Sequence, residues 1–453
     1  MLKKIEKITH KLSPNLQKII GNTGWLLADR VLRMGTGLLV GVWVARYLGP
    51  KNFGIFNYAI AFTAIFNTVA NLGLDNIVIR NIVRQPNSKD EILGTAFFLK
   101  VFAQATIIFV SIATIIILRP TETLTHQLVG IITVGTFFES YYVIDYWFQS
   151  QIQSKYTVWS KNIGLVLASS MRIVLIQIQA PLLMFAWAYA AETALSALGL
   201  VVAYRIKGYF IQAWHFSWKY AIELLKDSWT LILSSFVIMI YMRTDQLMLG
   251  QMIGDKAVGI YSAAVKISEL WYFIPMAITN SVFPSIVKAR QESQQSYYEQ
   301  IQKVLDFLTI LSLAVGVIVS LLSHQIVNLM YGQEYSDAGA ILLIHIWTGI
   351  FVSLGLVSSL WTTAENLMPF AFITSANGAV INIVLNYFLI KSYGGVGAAM
   401  ASLVAQCVAS YFSYLLLPQT RIIFIQQTKA LVLPSLFKRL LNYTRVFRKN
   451  ELN

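Results

Sequence analysis

The chain has one cysteine, Cys407, among 453 residues, and only 12% of its residues are Asp, Glu, Lys or Arg. One cysteine excludes an intrachain disulfide and a multi-cysteine metal site. Its place among Ala and Ser in an apolar stretch marks it as a small packing residue. So little charge, with 56% apolar residues and a mean hydropathy of +0.61, excludes an ordinary soluble globular protein. Long hydrophilic stretches are missing too. The longest, Arg205 to Ser228, is too short for a soluble catalytic domain of about 50 residues or more. No nucleophile elbow, Walker loop, HExxH pair or Cys/His ligand cluster is present, so no catalytic residue and no metal site is expected. Gly394, Gly395 and Gly397 form a turn, because no following lysine makes them a nucleotide loop. The basic, polar start MLKKIEKITHKL has no short apolar core with a cleavage site behind it, so no cleavable leader is expected.

What is present is apolar sequence in lengths that fit a bilayer, which a helix crosses in about 20 residues. Twelve such spans are expected, at 22–48, 53–81, 93–118, 124–150, 161–180, 182–204, 229–253, 257–287, 303–328, 338–363, 368–391 and 394–417. Turn residues such as Gly49-Pro50, Arg119-Pro120, Ala180-Pro181 and Gly254-Asp255 divide them. The expected fold is an all-α polytopic membrane protein. Its organisation is a cytoplasmic segment 1–21, an N-lobe 22–204, a cytoplasmic link 205–228, a C-lobe 229–417 and a basic amphipathic tail 418–453. An ungapped echo at an offset of 205 residues supports the two lobes: Gly49/Gly254, Lys51/Lys256, Gly54/Gly259, Ile55/Ile260 and Ala59/Ala264. An even number of spans per lobe makes the repeats parallel, about an axis along the membrane normal.

Lys and Arg set the orientation. The termini and even-numbered junctions hold twenty-four of them, and the odd-numbered junctions hold five: Arg46, Lys51, Arg119, Lys256 and Lys391. That bias puts both termini in the cytoplasm. It also accounts for the net charge of +14 as a collar facing anionic lipid, which removes a nucleic-acid partner.

Six bases and seven acids remain inside the spans: Arg30, Arg33, Lys100, Arg172, Arg243 and Lys266, with Asp29, Asp75, Glu139, Asp145, Glu192, Asp245 and Glu269. One ionised side chain at mid-bilayer costs about 2.5–3.5 kcal/mol. Thirteen facing lipid would cost on the order of 30–45 kcal/mol, beyond a fold's whole stability of ~5–15 kcal/mol. They must face one another or a polar cavity. Arg172 is nine residues before Pro181 and Glu192 eleven after, so at ~1.5 Å per residue they share a depth. Lys100 and Glu139 also match in depth, and Asp29–Arg33 and Lys266–Glu269 have favourable helical spacing. Arg243 and Asp245, two apart, each need a partner from another helix, and Asp145 has no base at its depth. His345 is expected to be a hydrogen-bonded packing residue.

The stretches LKDSWTLILSSFVIMIYMRTDQLMLGQMIGDKAVGIYSAAVKISELWYFIP (225–275), VARYLGPKNFGIFNYA (44–59), FPSIVKAR (283–290) and NIVLNYFLIKSYGGVGAAMAS (382–402) together resemble the bacterial oligosaccharide flippases. These belong to the polysaccharide transport branch of the multidrug/oligosaccharidyl-lipid/polysaccharide exporter superfamily. Lys391 departs from the proline common before the Tyr-Gly turn. Val40-Gly41 stands roughly where the related lipid II flippases carry an Arg-Asp pair, which weighs against a peptidoglycan precursor as cargo. The resemblance implies two pseudo-symmetric six-helix lobes around a central cavity, alternating access and a bacterial cytoplasmic membrane. The implied cargo is an undecaprenyl-pyrophosphate-linked oligosaccharide, moved from the inner to the outer leaflet. Arg172, Arg243, Lys266, Arg30 and Arg33 are the candidate substrate contacts, and Glu139, Glu192, Asp245 and Glu269 the candidate coupling or counter-charges. No cofactor is expected beyond a coupling H⁺ or Na⁺. The expected partners are the lipid-linked oligosaccharide, membrane lipids and a polysaccharide polymerase or glycosyltransferases. The alternative is a cation-coupled multidrug exporter of the same superfamily. A membrane glycosyltransferase would need a loop this chain lacks.

Overall fold

The computed structural model describes residues 14–432 and Arg439. The first thirteen residues of the expected N-terminal segment, and the remainder of the tail after 432, lie outside the described residues. All regular structure among the described residues is helical, as hydrocarbon demands, because a helix satisfies its own backbone groups. The helices are α1 Pro14–Ala70, α2 Asp75–Arg84, α3 Lys89–Leu118, α4 Thr123–Thr136, α5 Val143–Ser150, α6 Lys155–Gln177, α7 Leu182–Ile206 and α8 Trp218–Met252. They continue as α9 Asp255–Leu270, α10 Phe273–Glu292, α11 Gln294–Tyr331, α12 Ala338–His345, α13 Thr348–Ala364, α14 Met368–Ser410 and α15 Arg421–Leu431.

Nine segments among the described residues are long and apolar enough to cross a membrane. Gly21–Arg84 and Phe370–Leu415 each hold two expected spans. Each pair is divided at a glycine, Gly49 with φ 70° and Gly394 with φ 56°, where a side chain would be strained. The fifth expected span is α6, whose Lys155, Lys161 and Arg172 lower its hydropathy. The set is consistent with twelve passages.

Four expected spans are broken, which apolar patterning did not indicate. The second breaks at 71–74, where Leu72 and Gly73 both have φ 56°, before α2 begins. The fourth passes through a 3₁₀ stretch, Phe137–Tyr142, between α4 and α5. The eighth is interrupted by a tight turn between α9 and α10 at Trp271-Tyr272, and the tenth between α12 and α13 at Ile346-Trp347, with helical dihedrals kept at all four residues. Second and fourth in each half, the breaks repeat along with the sequence echo.

The chain divides into two compact units, Met1–Met239 and Ile240–Asn453. The stretch 205–228, expected to link the lobes, therefore lies within unit 1, and α8 already starts at Trp218. Its attachment to α2 explains this. Arg80 pairs with Asp227, Asn81 Nδ2 donates to Glu223 Oε1 at 3.4 Å, and Tyr220 donates to Gln85 Oε1 at 2.7 Å. The aromatics of this stretch join a core: Trp214 and Tyr220 pack with Trp147, Phe148 and Tyr204.

Within unit 1, α6 and α7 approach closely through small residues. A Cβ on Gly164 would meet Ser196 Oγ at 2.5 Å, and one on Gly199 would meet Ser160 Cα at 3.1 Å. In unit 2 the core includes Tyr297, Leu305, Trp361, Tyr414 and Ile423. Large apolar side chains stay exposed, such as Phe109 at 75% and Leu329 at 80%, as surfaces meant for lipid would be. The described part of the tail is docked on protein: α15 buries Ile423 and Ala430, and Gln302 donates to Gln426 O at 3.2 Å. Arg439 then grips buried Asp306 with two nitrogens, at 2.7 and 2.8 Å.

Candidate functional site

The two breaks of unit 1 open onto a polar cavity of about 480 Å³. Its lining includes Asp75, Lys100, Glu139, Asp145, Tyr146 and Lys161. The geometry follows from the breaks. The turn at 71–74 starts a new helix at Asp75, so its carboxylate sits at a helix N-terminus, and the 3₁₀ stretch re-aims Glu139. Lys100, 1% exposed, donates to Tyr146 Oη at 3.2 Å, and Tyr146 in turn donates to Asp75 Oδ1. A base and an acid are thus joined through a phenol that can both give and receive a proton. Glu139 accepts from Asn67 Nδ2 at 3.1 Å, and Asn67 Oδ1 accepts from Gln104 Nε2 at 2.8 Å. Lys100 and Glu139 line one cavity, as their common depth indicated, but Lys100 spends its hydrogen bond on Tyr146.

Asp145 does have a base. Lys161 Nζ lies 2.6 Å from its Oδ2, while Thr157 and Gln149 donate to Oδ1 at 2.8 and 3.0 Å. An apolar span of 161–180 puts Lys161 at the helix end. Because α6 begins six residues earlier, at Lys155, the lysine is well inside the helix and reaches the cavity.

A second set of charges in unit 1 is self-contained. Arg172 Nη2 pairs with Glu192 Oε2 at 2.7 Å, Arg33 Nη1 approaches Glu192 Oε1 at 3.9 Å, and Arg33 Nε reaches Asp29 at 3.1 Å. Two bases meet two acids, and all four are at least partly buried. Arg30 lies on the exposed side of α1.

In unit 2 the acid of α8 is caged. Asp245, 5% exposed, receives Asn382 Nδ2 at 2.9 Å and Asn386 Nδ2 at 2.6 Å on Oδ1, and the hydroxyls of Tyr261 and Ser402 on Oδ2. Its partners come from other helices, as the spacing of Arg243 and Asp245 requires, and they are neutral donors. Hydrogen bonds to an ionised group hold it at about 1.5–3 kcal/mol each. The oxygen of Asn386 is buried and without a hydrogen-bond partner among the described residues. A visible signal for this cage was the spacing of Asn382 and Asn386, four apart in an apolar helix.

The breaks of unit 2 meet each other. Ser268 Oγ and His345 Nδ1 are 2.7 Å apart, and Tyr272 Oη lies 2.6 Å from Thr348 Oγ1. His345 is the hydrogen-bonded packing residue expected. Glu269, one turn from the break, feels the positive charge of both Arg243 and Lys266. Arg243 keeps its Nε buried without a hydrogen-bond partner among the described residues.

This sequence and architecture are similar to those of known proteins. The family described as "Polysaccharide biosynthesis protein" matches residues 19–290, and the one described as "MatE" matches residues 231–388. The capsular polysaccharide biosynthesis protein CapF of Staphylococcus aureus is 21% identical over 412 residues, which are 87% of this chain and 99% of that protein. A multidrug resistance MATE family transporter of the MOP superfamily, solved inward-facing, gives a TM-score of 0.71 at 15% identity over 88% of this chain and 96% of its own. The lipid II flippase MurJ in an inward closed conformation gives 0.70 at 14% identity over 93% of both chains. Identities this low establish the fold.

Proposed function

Since the chain belongs to the polysaccharide biosynthesis protein family, we propose that it is a flippase for a lipid-linked oligosaccharide in surface polysaccharide biosynthesis. The cargo of this reading is an undecaprenyl-pyrophosphate-linked glycan, carried from the inner to the outer leaflet by alternating access. The observation that carries it is the set of broken membrane helices that bring Asp75, Glu139, Glu269 and His345 into polar interiors. A head group of sugars and pyrophosphate cannot enter hydrocarbon without losing its hydration, and a polar interior offsets that cost. Broken helices are the usual way to place such groups at membrane depth.

The candidate contacts now differ in standing. Arg172 and Arg33 are held by Glu192 and Asp29, so they serve this reading as a gate or brace. Arg243, with a free buried N–H, and Lys266 beside Glu269 are the candidates for anionic cargo. A coupling ion would act at Asp245. Its cage of amide N–H and hydroxyl donors suits a carboxylate that gains and loses a proton, because the hydroxyls of Tyr261 and Ser402 can turn when the carboxylate is neutralised.

The test replaces Arg243 and Lys266 singly with Gln in a flippase-deleted strain, and measures surface polysaccharide and flipping of a fluorescent isoprenyl-pyrophosphate oligosaccharide in vesicles. The expected result is at least a tenfold loss for Arg243→Gln, and full activity in both variants removes these residues from the mechanism.

Export of organic cations is the second reading, favoured by the unit 1 cavity, where Asp75, Glu139 and Asp145 outnumber Lys100 and Lys161. The match of residues 231–388 to the MatE family agrees with it. It predicts raised resistance to cationic drugs on expression, with surface glycan unchanged.

A further inference from the structure

Away from the cavity, unit 1 gathers three lysines from three different junctions. Lys89 starts α3, Lys155 starts α6, and Lys207 follows α7. Each ammonium rests on an aromatic ring. Lys89 Nζ is 4.2 Å from the centroid of Tyr209 and 5.0 Å from that of Trp147. Lys155 and Lys207 share one ring, Tyr156, at 5.0 and 4.5 Å. The rings form one cluster: Trp147 contacts Tyr209 at 5.1 Å, and Phe148 joins Tyr156 at 5.3 Å to Tyr204, which contacts Tyr209 at 5.2 Å.

None of the three lysines forms an ion pair with a carboxylate among the described residues. Two ammonium groups on one ring lie within about one Debye length, ~10 Å at 0.1 M salt, so their repulsion is not screened away. A cation over an exposed ring gains about 0.5–1 kcal/mol, which fixes where each lysine sits without neutralising it. The fold therefore holds three positive charges around one aromatic cluster, with the Asp90 carboxylate near Tyr204 and a net positive charge left over. The aromatic rings also suit head-group depth, where such side chains collect. Phosphate is the anion that depth supplies.

We propose that Lys89, Lys155 and Lys207 form a seat for the phosphate or pyrophosphate head group of a membrane lipid, with the half-buried Tyr156 and Tyr209 against the start of its chains. The seat does not depend on what the protein carries. It is tested on the purified full chain by native mass spectrometry with phosphatidylglycerol, farnesyl pyrophosphate, phosphatidylcholine and inorganic pyrophosphate as probes. Both anionic lipids are expected to bind and phosphatidylcholine to bind poorly. A lysine near an anionic surface contributes about fivefold, so Lys155→Gln with Lys207→Gln should weaken both by roughly 30-fold. Replacing the same pair with Arg keeps the charge and should keep the binding, which separates loss of the seat from loss of the fold. Unchanged lipid binding by the Gln pair overturns the proposal. So does inorganic pyrophosphate binding as tightly as the lipids, since the seat would then take a soluble anion.

Discussion

Arg172 and Glu192 illustrate what a single residue is worth in this chain. They are 16% and 22% exposed, on membrane helices, 2.7 Å apart. Removing Arg172 leaves Glu192 with only the 3.9 Å approach of Arg33 in a site that hydrates it poorly, and breaking a buried pair costs about 3 kcal/mol or more. Removing both leaves a neutral, still hydrogen-bonded pair of side chains. Arg172→Gln should therefore lower the midpoint of thermal unfolding in detergent by several degrees, and Arg172→Gln with Glu192→Gln should recover most of the loss. Light scattering during heating reads the transition. If the double variant is as unstable as the single one, Arg172 acts through something other than this pair, and its return to the list of cargo contacts would follow. Arg33 gives the reason to expect partial recovery only, since its 3.9 Å approach to Glu192 is lost in the double variant as well.

Between residue and molecule, the elements that matter most are the breaks, and these were the least legible. The apolar spans, their turns and the repeat could be read from hydropathy, glycine and the 205-residue echo, because lipid imposes length and apolarity directly. A break imposes neither. Leu72 and the run FFESYY look like any other membrane sequence, and the αL turn at Leu72 costs about 1–2 kcal/mol that only packing can offset. Depth arithmetic assumes straight helices, so it found Arg172–Glu192, which lie on the unbroken α6 and α7. It brought Lys100 and Glu139 to one cavity as well, but not the hydrogen bond of Lys100 to Tyr146, which lies beyond the 3₁₀ stretch. The stretch 207–217 carries its own device. His215 donates from Nδ1 to Ala213 O at 3.0 Å and lies 3.4 Å from Glu91, on the neighbouring α3. The Ala213 carbonyl first, and the Glu91 carboxylate second, raise its pKa above the ordinary value near 6.5. A raised pKa means that the docked form prefers the proton. The contact's contribution is complete below about 6.5 and is lost as pH rises through the higher folded value. Trypsin cleavage at Lys207 should accordingly quicken between pH 6.5 and 8 in the native chain. In His215→Ala it should be fast throughout, once corrected for the protease's own pH profile, and a native chain with no pH effect would refute the device.

At the scale of the whole molecule, the uneven placement of Lys and Arg is the one property that every span shares. The structure adds to it within each unit. In unit 1, Lys89, Lys155 and Lys207 converge on one aromatic cluster, so three even-numbered junctions do lie at one end. In unit 2, α15 returns to the beginning of α11, where Gln426 Nε2 donates to Tyr298 O at 3.0 Å, and Arg439 closes on Asp306 a few residues further along. The chain after the last span thus sits at the same end as Lys288 and Arg290, which lie just before α11. For either unit taken by itself, the opposite orientation would place its bases outside, against the rule that positive junctions stay in the cytoplasm. The sole cysteine makes the orientation directly measurable. In a Cys407→Ser background, a cysteine is placed at Asn87, in the junction before α3, or at Thr121, in the junction after it. Intact cells are then treated with a membrane-impermeant maleimide. Thr121→Cys should be labelled without lysis and Asn87→Cys only after it. The reverse pattern would overturn the orientation, and with it the inner-to-outer direction proposed for the cargo, because the basic end would then face the compartment where glycans are delivered rather than the one where lipid-linked precursors are made.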